Sequence, residues 1–118
     1  MARAHIEDDI QKGVVTHLQI RGARGLVFFH VPNAPRSPQT GARLKAMGMR
    51  AGVSDLILVH NEKIYALEFK APGRRATEEQ LQFLTEMGEQ GAFTCICDSI
   101  DAALRVLEAW KLIVGKLA

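Results

Sequence analysis

A chain of 118 residues with 47% apolar and 24% charged residues is long enough to bury a core and ordinary for a globular protein; one domain over residues 1–118 is expected. Its net charge of +2 argues only weakly for an anionic partner. No apolar stretch is long enough to cross a bilayer, and the opening Met-Ala-Arg-Ala-His-Ile-Glu lacks the apolar core of a signal peptide. No membrane partner and a cytoplasmic location are therefore expected.

Taken in order, Ile6, Ile10, Val14, Val15 and Leu18 recur at helical spacing and predict a first helix over residues 6–20. Glu7, Asp8 and Asp9 are expected in its first turn, where the helix dipole favours carboxylates. Gly22 and Gly25 punctuate its end. Residues 26–31, Leu-Val-Phe-Phe-His-Val, read as a central strand. Pro32, Pro35 and Pro38 then exclude regular structure, before a possible short helix over residues 40–47. This connection is about twenty residues long, and long connections inside a domain are usually functional or disordered. Its bases, Arg36, Arg43, Lys45 and Arg50, favour a loop that touches substrate.

The stretch from Gly52 to Lys70 organises the rest. Residues 56–59 and 64–69 are apolar runs rich in strand formers, separated by the polar His60-Asn61-Glu62-Lys63; this is a β-hairpin pattern. Asp55 begins the first strand. Glu68 and Lys70 end the second and share a face. An antiparallel hairpin brings these ends together, so Asp55, Glu68 and Lys70 should converge. Two carboxylates and an ammonium suit a hard cation and a phosphate.

Ala71-Pro72-Gly73-Arg74-Arg75 reads as a turn, and Thr77-Glu78-Glu79-Gln80 as a capping box opening a helix to about residue 89 that buries Leu81, Leu84 and Met87. Residues 92–97 read as a fourth strand, with Cys95 and Cys97 expected on its opposite faces as buried, unpaired thiols, in keeping with a reducing cytosol. Ser99 or Asp98 caps a last helix with Ile100, Ala103, Leu104, Leu107 and Trp110 on its apolar side. Its continuation through Leu112, Ile113, Val114 and Leu117 is apolar nearly all round. That tail either folds back on its own sheet or marks an interface.

The order helix, strand, strand, strand, helix, strand, with Ser54-Asp55 and Glu68-Phe69-Lys70 on the middle hairpin, resembles the PD-(D/E)XK nuclease core. Ser54 stands where proline often sits, a position without chemistry. Glu7, Pro32-Asn33, Lys45-Ala46-Met47-Gly48, Gly52-Val53-Ser54-Asp55-Leu56, Glu68-Phe69-Lys70 and Gln80 together resemble the virus-type replication-repair nuclease (VRR-NUC) branch over residues 5–97. The resemblance implies an α/β, restriction-endonuclease-like fold with a mixed central sheet and a C-terminal helix. It also implies a phage or bacterial protein acting in DNA replication, repair or recombination.

On this resemblance the catalytic set is Glu7, Asp55, Glu68, Lys70 and Gln80. Asp55, Glu68, the Phe69 backbone carbonyl and Glu7 would hold Mg²⁺, for which Mn²⁺ can substitute. Asn33, Arg36, Arg43, Lys45, Arg50, Arg74 and Arg75 would contact nucleic acid. Blander roles stay open for several of these. Glu7 suits a helix start, Gln80 a capping partner of Thr77, Asn33 a turn, and Lys70 a solvated strand end. His5, His17, His30 and His60 lack zinc spacing, and His30 reads as structural. The expected function is Mg²⁺-dependent cleavage of branched DNA, such as four-way junctions, by a homodimer. The competing classes are a non-catalytic nucleic-acid-binding module and a nuclease subunit active only inside a larger complex.

Overall fold

The structure, a computed structural model, describes residues 3–32 and 37–115. Along the chain lie α1 (Arg3–Arg21), β1 (Val27–His30), α2 (Pro38–Ala46), β2 (Leu56–His60), β3 (Lys63–Phe69), α3 (Glu78–Glu89), β4 (Phe93–Cys97) and α4 (Ile100–Ala109). Asn33, Arg36 and Leu117 lie outside the described residues.

Asn61 and Glu62 both take left-handed backbone angles, φ 49° and 64°. That is the backbone of a two-residue I′ turn, whose twist matches its flanking strands. The polar connection of the hairpin is thus two residues rather than four, because His60 and Lys63 pair as its last rung. The sheet order is β1-β2-β3-β4. The first two pairings are antiparallel, and β4 joins β3 in parallel through α3. β1 is therefore an edge strand, not the central one its apolar sequence predicts, and Val27 and Phe29 are exposed.

The sheet is covered on both faces. Leu56, Leu58, Tyr65, Leu67 and Phe69 pack with Ile10, Val14 and Leu18 of α1 and with Ala103 and Leu107 of α4. The alternate residues Ile57 and Ala66 face Phe83, Leu84 and Met87 of α3. This is why Tyr65 to Phe69 is buried without a break: a strand covered on both sides loses the alternation of a half-exposed one. Glu68 is the one charged residue in that run. On α3, Phe83 takes the buried place expected of Leu81, which is exposed.

Three further expectations change. α1 begins at Arg3, so no acid lies in its first turn, and the dipole role read for Glu7, Asp8 and Asp9 falls away. Cys95 and Cys97 share a face, as residues two apart on a strand do, with Sγ atoms 3.9 Å apart. Both are free thiols, but only Cys97 is buried, and burial pushes its thiol up to about 12. Finally, α4 stops at Ala109. Lys111 turns the chain at φ 63°, and Leu112 and Ile113 enter the core. Hydrogen bonds from Ala23 N–H to the Leu112 carbonyl and from Val114 N–H to the Arg21 carbonyl fix this return. The buried Arg21 guanidinium also donates to the Val114 and Gly115 carbonyls and pairs with Glu108. The described part of the tail thus folds onto its own domain. Among the described residues no helix is long and apolar enough to cross a membrane.

Candidate active site

The hairpin places Asp55 just before β2 and Glu68 near the end of β3. Asp55 Oδ2 accepts the Phe69 backbone N–H at 2.7 Å, a bond across the open end of the hairpin. Glu68 points to the α3 face, where Oε2 accepts from Gln80 Nε2 at 3.0 Å and lies 3.9 Å from Lys70 Nζ. The other oxygen, Oε1, is buried and has no hydrogen-bond partner among the described residues. From α1, Glu7 Oε2 accepts the Ala71 backbone N–H at 3.1 Å, just beyond Lys70. Asp55, Glu68 and Lys70 thus converge at one end of the sheet, as the hairpin pattern predicts, with Gln80 of α3 on Glu68 and Glu7 of α1 on the next backbone N–H.

Gln80 closes the capping box and also contacts Glu68. Its Oε1 accepts the Thr77 backbone N–H while Thr77 Oγ1 accepts the Gln80 N–H, completing the capping box. Its amide nitrogen remains free for Glu68. A primary amide has a separate acceptor and donor, so the two roles do not compete.

Burial raises both carboxyl groups. Glu68 is 2% exposed, and desolvation followed by the charge of Asp55 pushes it up to about 8, against the opposing pull of Lys70. Asp55 is raised by burial too, partly offset by the Phe69 N–H. Two acids held near each other, one with an oxygen lacking any partner, cost free energy unless a cation or proton joins them. A hard divalent cation fits this donor set. Among the described residues no three His, Cys, Asp or Glu side chains converge on one point. The protein's side-chain ligands would therefore be Asp55 and Glu68, with room for a backbone carbonyl and water.

The predicted nucleic-acid contacts separate into groups. Arg43 and Lys45 are exposed on the last turn of α2, a helix with no buried residue. Arg74 and Arg75 are exposed in the turn after β3. Arg50 instead pairs with Glu86 at 3.0 Å and lies over the Phe83 ring, which ties the connection to α3. Residues 31–54 contain four bases and no acid, which leaves eleven bases against thirteen acids elsewhere; the positive excess of the chain resides in this connection. Sequence reasoning missed Gln11 and Lys12, which line a cleft beside Asp55 with His30. Their helical spacing on α1 was visible; the site they face was not.

The VRR-NUC domain family model matches residues 7–101, a span that holds every one of these acids, Lys70 and Gln80. The chain belongs to the VRR-NUC family. It is a nuclease domain of the PD-(D/E)XK type. Two solved structures share its fold. One described as a VRR_NUC domain protein has a TM-score of 0.71 and 23% identity over 86% of this chain and 84% of its own. Another, described as a VRR_NUC domain, has a TM-score of 0.64 and 17% identity over 89% and 97%. No curated protein gives a significant match.

Proposed function

We propose that this VRR-NUC domain is a Mg²⁺-dependent, structure-specific endonuclease of branched DNA, such as four-way junctions. The observation that carries the reading is Glu68: a buried carboxylate with an orphan oxygen, held between Asp55, Lys70 and Gln80. A purely structural acid in that position would have donors for both of its oxygens or be replaced by an apolar residue.

Asp55, Glu68 and the Phe69 backbone carbonyl would hold the cation, with Glu7 nearby for a second. A bound Mg²⁺ supplies polarisation of the phosphate and a more acidic water. The rest falls to the chain itself. Lys70 places a fixed positive charge where negative charge develops on the phosphate. Gln80 holds Glu68 in one orientation. The Phe69 N–H does the same for Asp55. Arg43, Lys45, Arg74 and Arg75 grip flanking phosphates and give a salt-dependent affinity.

A homodimer fits such a substrate, because one small site cuts one strand and a two-fold pair matches a two-fold junction. The buried tail residues Leu112 and Ile113 lend this no support; the open edge β1, with Val27 and Phe29 exposed, offers a self-complementary surface instead.

The test is cleavage of linear, nicked, flapped and four-way DNA with Mg²⁺ or Mn²⁺ against EDTA, using wild type and Glu68→Gln. Metal-dependent paired nicks on the junction, absent in the variant, are expected. Binding without cleavage would favour a non-catalytic module or a subunit that needs a larger complex. Light scattering that gives the mass of one chain would remove the dimer.

A further inference from the structure

A cleft of about 510 Å³ opens beside Asp55. One wall is a stripe of α1 that carries Asp8, Gln11, Lys12 and Thr16, and His30 of β1 completes it. Spacings of three and four put these residues on one side of the helix, beside the stripe that buries Ile10, Val14 and Leu18. The wall is built rather than incidental. His30 Nδ1 lies 2.8 Å from the Asp55 backbone carbonyl, which can only accept, so this nitrogen carries the proton. The Gln11 side chain packs beside the ring, its amide 2.9 Å from the same nitrogen. Thr16 Oγ1 is engaged by the Lys12 carbonyl. The Lys12 ammonium, by contrast, is exposed and has no ion pair or hydrogen bond among the described residues.

Charge along this wall is polarised. Glu7 and Asp8 lie at the end shared with the acid pair, and Lys12 follows one turn on, about 6 Å along the axis. A nucleic-acid strand with one phosphate at Asp55 and Glu68 must lay its neighbouring phosphate along some wall of the site. This wall presents an unengaged cation one helical turn beyond Asp8, in the same cleft as Asp55, and an imidazole held against the Asp55 carbonyl. We infer that Lys12 holds the phosphate next to the one that is cleaved, with His30 and Gln11 as the surface on which the intervening sugar rests. The assignment rests on the nuclease reading and adds a second grip on the strand, across the site from the basic connection of α2. Asp8 strengthens the polarity: it favours the cation at one end and directs the phosphate to the other.

The experiment is a double-substitution cycle between protein and DNA. Single neutral methylphosphonates replace each phosphate flanking the cut, and both Kd in EDTA and metal-dependent kcat/KM are measured for wild type, Lys12→Ala and Lys12→Arg. One flanking methylphosphonate is expected to cost wild type about tenfold, the scale of a charge-assisted contact. Lys12→Ala should show that loss on unmodified DNA and none further from the same methylphosphonate. It should also lower the salt slope of binding by about one unit. Lys12→Arg should restore most of the affinity. Equal methylphosphonate penalties in wild type and Lys12→Ala, in binding and cleavage alike, overturn the subsite. Absence of any cleavage by wild type overturns the nuclease reading instead, while the binding cycle still decides Lys12.

Discussion

Gln80 donates to Glu68 across 3.0 Å, and the opposite end of the same amide accepts the Thr77 N–H at 2.8 Å. The start of α3 and the orientation of a buried carboxylate are therefore set by one side chain. The two effects separate by substitution. Thr77→Ala should remove the cap alone and cost about 1 kcal/mol of stability with cleavage little changed. Gln80→Ala should release Glu68 as well and lower cleavage about 10–100-fold, the usual effect of losing a group that orients a ligand. Equal cleavage by the two variants in matched single-turnover assays would show that Gln80 serves only the helix.

The raised Glu68 carboxyl makes metal-free stability depend on pH. Its folded value of about 8 lies above the ordinary 4.5. The native state thus holds this proton more tightly than the unfolded chain does. Below pH 4.5 both states are protonated and nothing is lost from this group. As pH rises towards 8 the unfolded chain ionises while the folded one resists, so stability falls, and above 8 the loss is complete. Melting temperature in EDTA should decline across this window for wild type and much less for Glu68→Gln. Because a cation needs the ionised carboxylates, the stabilisation by Mn²⁺ should grow over the same interval. A wild-type profile that parallels that of Glu68→Gln would mean that Glu68 is ionised throughout.

Lys70 sits 3.9 Å from Glu68 and opposes the rise in its pKa. Lys70→Met should therefore raise Glu68 further, and metal affinity near neutrality mixes that effect with the loss of a repelling charge. At pH 9, where Glu68 is ionised in wild type, the repulsion dominates. Calorimetric titration there should show Mn²⁺ affinity at or above that of wild type, while cleavage falls about 10²–10³-fold. A large fall in affinity at that pH would make Lys70 part of cation binding rather than of transition-state stabilisation.

Gly52 allows the connection before β2 to press against α3. Its φ is +83°, and a Cβ there would lie 2.4 Å from the Glu79 carbonyl carbon and 2.8 Å from Gln80 N. Gly73 has nearly the same angle, +82°, with nothing within 4 Å. Gly73→Ala should cost only the backbone conformation, about 1–2 kcal/mol. Gly52→Ala should cost more and also weaken cleavage, because relief of the clash moves Gln80 away from Glu68. Chemical denaturation and cleavage assays on both variants test this; equal effects on stability and activity would remove the close approach from the site.

The side chains that meet at this end of the sheet were in part legible because their signals are local. Asp55, Glu68 and Lys70 are carried by a hairpin, and hairpin geometry brings the start of one strand to the end of the next whatever surrounds it. The capping box at Thr77 and Gln80 is equally short-range, as are the helical stripe of Ile10, Val14 and Leu18 and the glycine-punctuated ends. Tertiary structure decided what those groups meet. Glu7 and Ala71 are 64 residues apart, and only the packing of α1 on the sheet joins them. Position in the sheet made β1 an edge strand, although its side chains are as apolar as those of β2. The tail read as a possible interface because its apolar residues exceed one helix face; Leu112 and Ile113 find their partners by leaving the helix at Lys111. Arg50 resembled the other bases of its connection until Glu86 and Phe83 were brought beneath it. Sequence spacing dictates which side chains lie on one face of one element; which element that face opposes depends on closing long loops and covering both faces of a sheet, and no local pattern records that choice.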